Sequence, residues 1–116
     1  VATRSDILKM QTLAGKVFVE ESVLDYILKI VTATRTESEF KAGVSVRGGL
    51  SLRVAAQARA LVLGRDFVIP EDVQEMSGPV LIHRLSLARQ TSDALEERRA
   101  VLAALRRIIG AIAVPE

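Results

Sequence analysis

One arginine in the chain stands among residues that disfavour a helix. Arg47 lies in the segment GVSVRGG, residues 43–49, between two stretches with helical patterns. Ser45 is a good N-cap, because its hydroxyl can accept hydrogen bonds from the free amides of a helix's first turn. Arg47 then falls in that turn, where the helix dipole opposes a cation, and Gly48 and Gly49 let another surface approach the backbone. This placement predicts a negatively charged partner, and phosphate suits both the guanidinium and the amides.

A purely structural role for Arg47 is also open on these residues alone, because arginines are common after loops. The chain contains neither GxxxxGK[ST] nor GxGxxG, the glycine-rich patterns that cradle nucleotide phosphates. We therefore expect the rest of any phosphate site to come from outside this chain.

Other side chains with catalytic potential have simpler explanations. Asp25, Asp66, Glu71 and Asp72 lie at predicted helix starts and turns, where the helix dipole favours acidic residues. His83 is the single histidine and the chain has no cysteine, so no set of nitrogen and sulfur ligands is available to share a metal. We predict neither carboxylate catalysis nor a metal site.

Composition favours one compact domain. The chain has 116 residues, of which 49% are hydrophobic, 26% charged and 3% aromatic. The core must therefore be aliphatic, and little is available for stacking on nucleic-acid bases. A formal charge of +2 permits a polyanionic partner without indicating one. The absence of cysteine fits a reducing compartment, no apolar run reaches the roughly 18 residues of a membrane span, and no signal pattern is present. We predict a cytoplasmic protein and, because the chain begins at Val1, a domain of something longer.

Hydrophobic periodicity predicts an all-α fold, a small bundle of four to five helices. The predicted helices are Ser5–Ala14 with Thr3 as a cap, Glu21–Thr36, a helix from Arg47 to Leu63 ended by Gly64, a helix begun by Pro70 and broken at Ser77-Gly78-Pro79, a short piece over Val80–Leu85, and Ser92–Ile112. Between them, Val17-Phe18-Val19 reads as extended and Glu37–Ala42 as a mobile loop.

Helical spacing also predicts which faces are buried. In the third helix the buried stripe is predicted to consist of Leu50, Val54, Ala58, Leu61 and Val62. In the last helix the apolar face comprises Leu95, Leu102, Leu105, Ile109 and Ile112, widened by Val101 and Ile108. This face either folds back on the domain or meets another subunit or domain. Tyr26 is expected to pack its ring in the core while its hydroxyl reaches water.

The last helix is basic, but weak as a nucleic-acid surface. Its arginines, Arg98, Arg99, Arg106 and Arg107, are partly offset by neighbouring glutamates, and neither a recognition motif nor an aromatic platform accompanies them. A solvated face is the simpler interpretation.

The segment GVSVRGGLSLRVAAQARALVLGRDFVIPEDV closely resembles the lid domain of MoxR-type AAA+ ATPases. In that family a Gly-x-Ser-Pro-Arg turn opens a helix, which ends in Gly-Arg-Asp-aromatic-Val before a Pro-Glu-Asp-Val helix. VLDYILKIVTATR upstream, PVLIHRL downstream and the ending IAVPE are similar to the flanking family segments, so the resemblance covers almost the whole chain. The sequence departs from the family at Val46, which replaces the usual proline, and at Ile69, where a hydroxyl cap is frequent.

This resemblance implies an expected role for Arg47. It corresponds to the second-sensor arginine, which reaches from the lid toward the γ-phosphate of ATP on a neighbouring α/β domain; Ser45 and Gly48 accompany it in the nucleotide-binding turn. The resemblance further implies that residues 1–116 form the helical lid, and that the parent protein binds ATP and magnesium on a core absent from this chain. The partners implied are that core, neighbouring subunits of a ring and an unidentified client remodelled in a chaperone-like way.

On its own the chain is expected to be inactive, because a phosphate loop, a magnesium-binding acidic motif and a catalytic base are all missing from its sequence. Two alternatives from other classes stay open. One is a small helical module that binds nucleic acid, a partner that the lid assignment does not predict. The other is an interaction scaffold that dimerises through its last helix.

Overall fold

The computed structural model describes residues 3–88 and 93–115 and consists mainly of helices. The elements, in chain order, are α1 (Arg4–Gly15), α2 (Glu21–Thr36), β1 (Phe40–Ala42), α3 (Val46–Val62), α4 (Pro70–Leu81), a 3-10 turn (Ile82–Arg84), β2 (Ser86–Leu87) and α5 (Ala94–Ala111). The predicted helical bundle is confirmed, with a two-stranded sheet in addition. The predicted start of the last helix at Ser92 lies outside the described residues.

Most helix ends follow the residues that predicted them. The Thr3 hydroxyl accepts from the amide of Asp6, whose carboxylate accepts from the amide of Thr3 in return, a reciprocal cap for α1. Gly64 adopts φ +81° just beyond α3, a left-handed conformation that glycine enters without steric cost. Pro70 is the first residue of α4, where a missing amide hydrogen leaves no bond unmade.

Two predicted irregular segments turn out to be regular. Ser77-Gly78-Pro79 does not break α4, which continues to Leu81 with Pro79 inside it. Pro79 lies in the last turn, so its missing donor removes a single helical bond. The predicted mobile loop contains β1, whose residues pair antiparallel with β2 in the register Phe40–Leu87 and Ala42–Ser86. Phe40 and Leu87 are both buried, so burial of apolar side chains accompanies this short pairing.

The core lies where α2, α3, α4 and α5 meet. Its most buried side chains include Tyr26 and Ile30 from α2, Leu52 from α3, Leu81 from α4 and Leu105 from α5. The prediction for α3 was wrong: Leu50, Val54 and Val62 are exposed, and the buried residues are Gly48, Leu52, Ala56, Gln57 and Ala60. Apolar side chains surround this helix, so their spacing did not identify the buried face, which consists of Leu52, Gln57 and three small residues.

The last helix folds back on its own domain. Val101, Ala104, Leu105 and Ile108 of α5 are buried, and Arg107 pairs with Glu37 and Glu39 near β1, at 3.5 and 2.9 Å. Within the described ranges, none of the helices combines the length and the apolar character needed to cross a bilayer.

Helix α1 is the least embedded of the α-helices. Ala14 is its one buried residue, whereas Ile7, Leu8, Met10 and Leu13 are each about half exposed. The segment that follows it is extended, as predicted, because Phe18 forms a parallel bridge with Phe67. The Gln57 side chain donates to the carbonyl of Val17 at 2.9 Å, which ties this segment to α3.

Candidate functional site

The turn that opens α3 presents Arg47 to solvent. The Ser45 hydroxyl accepts from the amide of Gly48 at 3.3 Å, so the predicted N-cap is confirmed. Arg47 is the second residue of the helix and is exposed. Its guanidinium makes no hydrogen bond or ion pair within residues 3–88 and 93–115, and no acidic residue lies in the first turn of α3. Among the described residues, this cation therefore has no counterion.

The backbone just before the turn is held by the end of α2. The amide of Val44 donates to the Thr34 hydroxyl at 3.0 Å, and the carbonyl of Val44 accepts from Nε of Arg35 at 2.8 Å. Val44 and Thr34 are fully buried. Gly43 lies so close to α2 that a Cβ atom there would stand 2.5 Å from the Cα of Arg35. The chain thus enters the Arg47 turn from a fixed point on α2.

Gly48 faces the interior of the domain. It is buried, and a Cβ atom at this position would collide with the Val44 side chain and stand 3.3 Å from Cδ of Arg84. A Cβ atom on Gly49 would approach Val31 to 3.2 Å. The expected close approach to these glycines is made by side chains of this same domain, and the amide of Gly48 donates to Ser45.

An apolar groove adjoins the turn between α2 and α3. It has a volume of about 210 Å³ and includes Leu28, Val46 and Leu50, with Arg35 and Arg53 among its lining residues. The three apolar side chains are between 54% and 68% exposed. Contiguous exposed apolar surface of this kind is typical of faces that meet another protein or domain.

Two arginines surround one carboxylate near the opposite end of α3. Asp72 is fully buried, and its carboxylate accepts from Arg59 at 2.6 Å, from Arg65 at 2.6 and 2.7 Å, and from the amide of Ile69 at 2.8 Å. Burial alone would raise the pKa of Asp72, but the bonds from Arg65, Ile69 and Arg59 hold it below its usual range. Asp72 therefore fixes the connection between α3 and α4 as a charged carboxylate.

Sequence reasoning placed Asp72 at a helix start and missed both of its arginines. They lie 13 and 7 residues away along the chain. The motif GRDFVIPEDV contains both Arg65 and Asp72. Because a buried carboxylate needs a cation, their proximity in this motif was the unused signal for the pair. The Asp72 carboxylate also accepts from the amide of Ile69, so it caps the start of α4 at a position where the family's frequent hydroxyl is missing.

The structure also shows the surroundings of Tyr26 and His83. Tyr26 is 1% exposed, and its hydroxyl accepts from the Gln74 side chain at 3.1 Å instead of reaching water. His83 is exposed. In the part of the chain that the structure describes, no three residues among His, Cys, Asp and Glu are grouped so that they could hold a metal ion.

Comparison with known proteins identifies the family. A model of the AAA lid domain matches residues 32–105, which include α3, α4 and the Arg47 turn. The chain therefore belongs to the AAA lid domain family, and the resemblance to MoxR-type lids is confirmed.

Relatives of the chain include a MoxR protein, an uncharacterized protein and a candidate ATPase of known structure. The chain is 35% identical to chaperone MoxR1 of Mycobacterium tuberculosis, over 100% of this chain and 32% of that protein. It is 36% identical to the uncharacterized protein YeaC of Bacillus subtilis, over 99% of this chain and 35% of that protein. The crystal structure of a candidate ATPase from Cytophaga hutchinsonii superposes with a TM-score of 0.75 at 27% identity, covering 97% of this chain and 36% of the other. The chain thus spans about a third of the length of each of these relatives.

Proposed function

We propose that this domain is the lid of a MoxR-type AAA+ ATPase and that Arg47 contributes a cationic donor to ATP held by a separate core domain. The observation that carries the proposal is the state of Arg47: an exposed guanidinium in the first turn of α3, without a partner in the described part of the chain. A cation at a helix start is opposed by the dipole, and no residue of the described ranges compensates it with a hydrogen bond or an ion pair.

The turn is suited to a phosphate group. A guanidinium binds two phosphate oxygens through its planar fork, and the start of a 17-residue helix is electropositive, which favours an anion. A core domain would hold ATP and its magnesium ion and would bring the phosphate groups to this turn. From this chain Arg47 would orient and neutralise charge on the outermost phosphate, while Ser45 and Gly48 keep the turn in shape.

The wider assignment follows from the family. The apolar groove beside the turn is suited to packing against the core domain of the same protein or a neighbouring subunit of a ring. Through such contacts, closure of the lid on ATP would be coupled to remodelling of a client protein in a chaperone-like way. Residues 1–116 would then act as one module of a cytoplasmic ATPase that has no activity without its core.

The proposal is tested by Arg47→Ala in the full-length protein that carries this lid. We expect ATP turnover to fall by about 10²-fold, the usual consequence of removing a positioned donor from a developing charge. The melting temperature should barely change, because an exposed side chain without partners contributes about 0.5 kcal/mol or less to stability. Arg47→Lys should restore little turnover, because an ammonium lacks the planar fork.

Arg99→Ala is the matched control. Arg99 lies in α5, is exposed and does not line the groove beside the Arg47 turn, unlike Arg53. Removal of the same charge there should keep turnover within about twofold of the unmodified protein. Arg59 is unsuitable for this purpose because it pairs with Asp72. Unfolding of the lid by Arg47→Ala, with normal turnover per folded molecule, would make the arginine structural and the proposal wrong.

A further inference from the structure

The segment that leads into the Arg47 turn lacks a device that the family normally has. The residue before the arginine is Val46, whose φ angle is free, whereas the proline found there in relatives with the Gly-x-Ser-Pro-Arg turn fixes φ near −65°. Val46 is also 68% exposed, so its side chain packs little against the domain. Some other contact must limit where the start of α3 points.

Two side chains at the end of α2 supply such a contact. Thr34 and Arg35 bind the amide and the carbonyl of the same residue, Val44, at 3.0 and 2.8 Å. The Thr34 hydroxyl donates to the carbonyl of Val31 at 2.6 Å, which leaves its lone pairs directed at Val44. With both backbone groups bound, Val44 can neither rotate its peptide planes nor shift along α2 without breaking the buried bond to Thr34 or the partly buried bond from Arg35.

The packing of Val44 carries this constraint to the turn. Its side chain is fully buried and lies directly beneath the Cα of Gly48, and Gly48 is next to Arg47. The aliphatic part of Arg84 lies against Gly48 as well, while its guanidinium donates to the Ser51 hydroxyl at 3.3 Å. The first turn of α3 therefore rests on a residue that α2 holds in place.

We infer that Thr34 and Arg35 are positioning residues for Arg47, acting together as a clamp on Val44. The inference rests on the proposed function, since it concerns how the sensor arginine is aimed. The clamp sets the backbone from which Arg47 extends, and it restricts the motion that Val46 alone would allow. Loss of either hydrogen bond should leave the domain folded and Arg47 present but less often in the productive orientation.

Both side chains have matched substitutions that separate the hydrogen bond from size and charge. Thr34→Val keeps the shape and removes the hydroxyl, whereas Thr34→Ser keeps the hydroxyl. Arg35→Gln places an amide nitrogen at the same number of bonds from Cα as Nε, so a donor to Val44 remains although the charge is lost. Arg35→Met places a methyl group there, with neither donor nor charge.

The experiment uses the full-length protein and two measurements. In steady-state ATP hydrolysis we expect Thr34→Val and Arg35→Met to lower kcat by about 3- to 10-fold, the factor expected for one lost hydrogen bond, with a smaller change in KM. Thr34→Ser and Arg35→Gln should recover most of this loss. Amide hydrogen exchange should become faster in residues 44–49 of the two clamp-deficient variants and stay unchanged in α4 and α5.

Combination with Arg47→Ala distinguishes positioning from general weakening. If the clamp acts through Arg47, then Thr34→Val and Arg35→Met lose their effect on kcat when Arg47 is already alanine. An equal loss in both backgrounds, no recovery with serine and glutamine, or faster exchange throughout the domain would overturn the clamp while the proposed function stands. Normal turnover of Arg47→Ala alone would instead overturn the proposed function, and the clamp inference would fall with it.

Discussion

The two ends of α3 each carry an arginine, and the fold treats them in opposite ways. Arg47 and Arg59 are 12 positions apart, about 18 Å along a helix. Arg59 donates to a fully buried carboxylate at 2.6 Å. Arg47 is exposed and has no such bond among the described residues. One arginine is therefore engaged by folding, and the other remains available for something outside the domain.

The two ends of α3 differ in whether the local fold depends on the arginine side chain. The Asp72 cluster holds two cations and one anion of the same chain, and removal of the carboxylate leaves both cations without this acceptor. The Arg47 turn is held by hydrogen bonds between the backbone and the side chains of Ser45, Thr34 and Arg35 and by glycine packing. None of these contacts involves the Arg47 side chain. Substitutions at the two ends should accordingly separate stability from turnover.

The largest effect on stability is expected for Asp72→Ala. Removing this carboxylate leaves Arg59, Arg65 and the amide of Ile69 without their acceptor, and breaking a buried ion pair costs about 3–5 kcal/mol. Because the two arginine side chains are 24% and 22% exposed, we expect the lower end, about 3 kcal/mol, in urea unfolding followed by circular dichroism. Glu71→Ala, at the exposed neighbour, is the control and should change the free energy of unfolding by less than about 0.5 kcal/mol. Equal effects of the two substitutions would refute a special role for Asp72.

Gly48→Ala should affect both stability and turnover. The added methyl group collides with Val44 and approaches Arg84, and overpacking of this kind costs about 1–3 kcal/mol. Since Arg47 is the adjacent residue, a backbone shift here should also lower ATP turnover in the full-length protein. Gly110→Ala is the matched control because a Cβ atom there meets nothing within 4 Å; it should be neutral or slightly stabilising. A tolerated Gly48→Ala would show that the turn does not need this close packing.

Acid should weaken the Asp72 cluster and leave the Arg47 turn alone. The pKa of Asp72 is lower in the folded state than its usual value, so its stabilisation is present above the unfolded pKa of about 3.9. It is lost as pH falls through the folded pKa, because the unfolded state binds the proton first. The loss should be smaller than for Asp72→Ala, since a protonated carboxyl still accepts hydrogen bonds. Urea midpoints from pH 6 to pH 3 should fall more steeply for the unmodified chain than for Asp72→Asn, and parallel curves would contradict this assignment.

What the sequence predicted correctly depends on neighbours along the chain. The cap at Ser45, the helix end at Gly64 and the helix start at Pro70 each follow from the local chemistry of one residue. The position of Arg47 in the first turn of α3 follows in turn from the Ser45 cap. The candidate site was therefore accessible to sequence reasoning as far as its central residue.

What the sequence did not predict involves contacts between distant residues. The bonds from Thr34 and Arg35 to Val44 span 10 and 9 positions, and the pairing of β1 with β2 spans more than 40. Neither leaves a periodic pattern, because one or two residues on each side suffice. The buried face of α3 was missed for a related reason: its neighbours, and not the spacing of its own apolar residues, determine which side is covered.

Substitutions of Ser45 should cost less stability than those of Asp72 or Gly48, and they give the sharpest separation of fold and function. Ser45→Ala removes the cap that accepts from Gly48, and loss of an N-cap typically costs about 1 kcal/mol; the 3.3 Å distance favours a value at or below this. Ser45→Asp should restore that stability, because aspartate caps a helix as well as serine does. Its carboxylate, however, stands two residues from Arg47, where it would repel an incoming phosphate and offer the guanidinium an internal counterion. We therefore expect the aspartate variant of the full-length protein to melt like the unmodified protein and to hydrolyse ATP at least about tenfold more slowly, whereas Ser45→Asn, an uncharged cap, should retain turnover. Normal turnover with aspartate would mean that no phosphate approaches this turn.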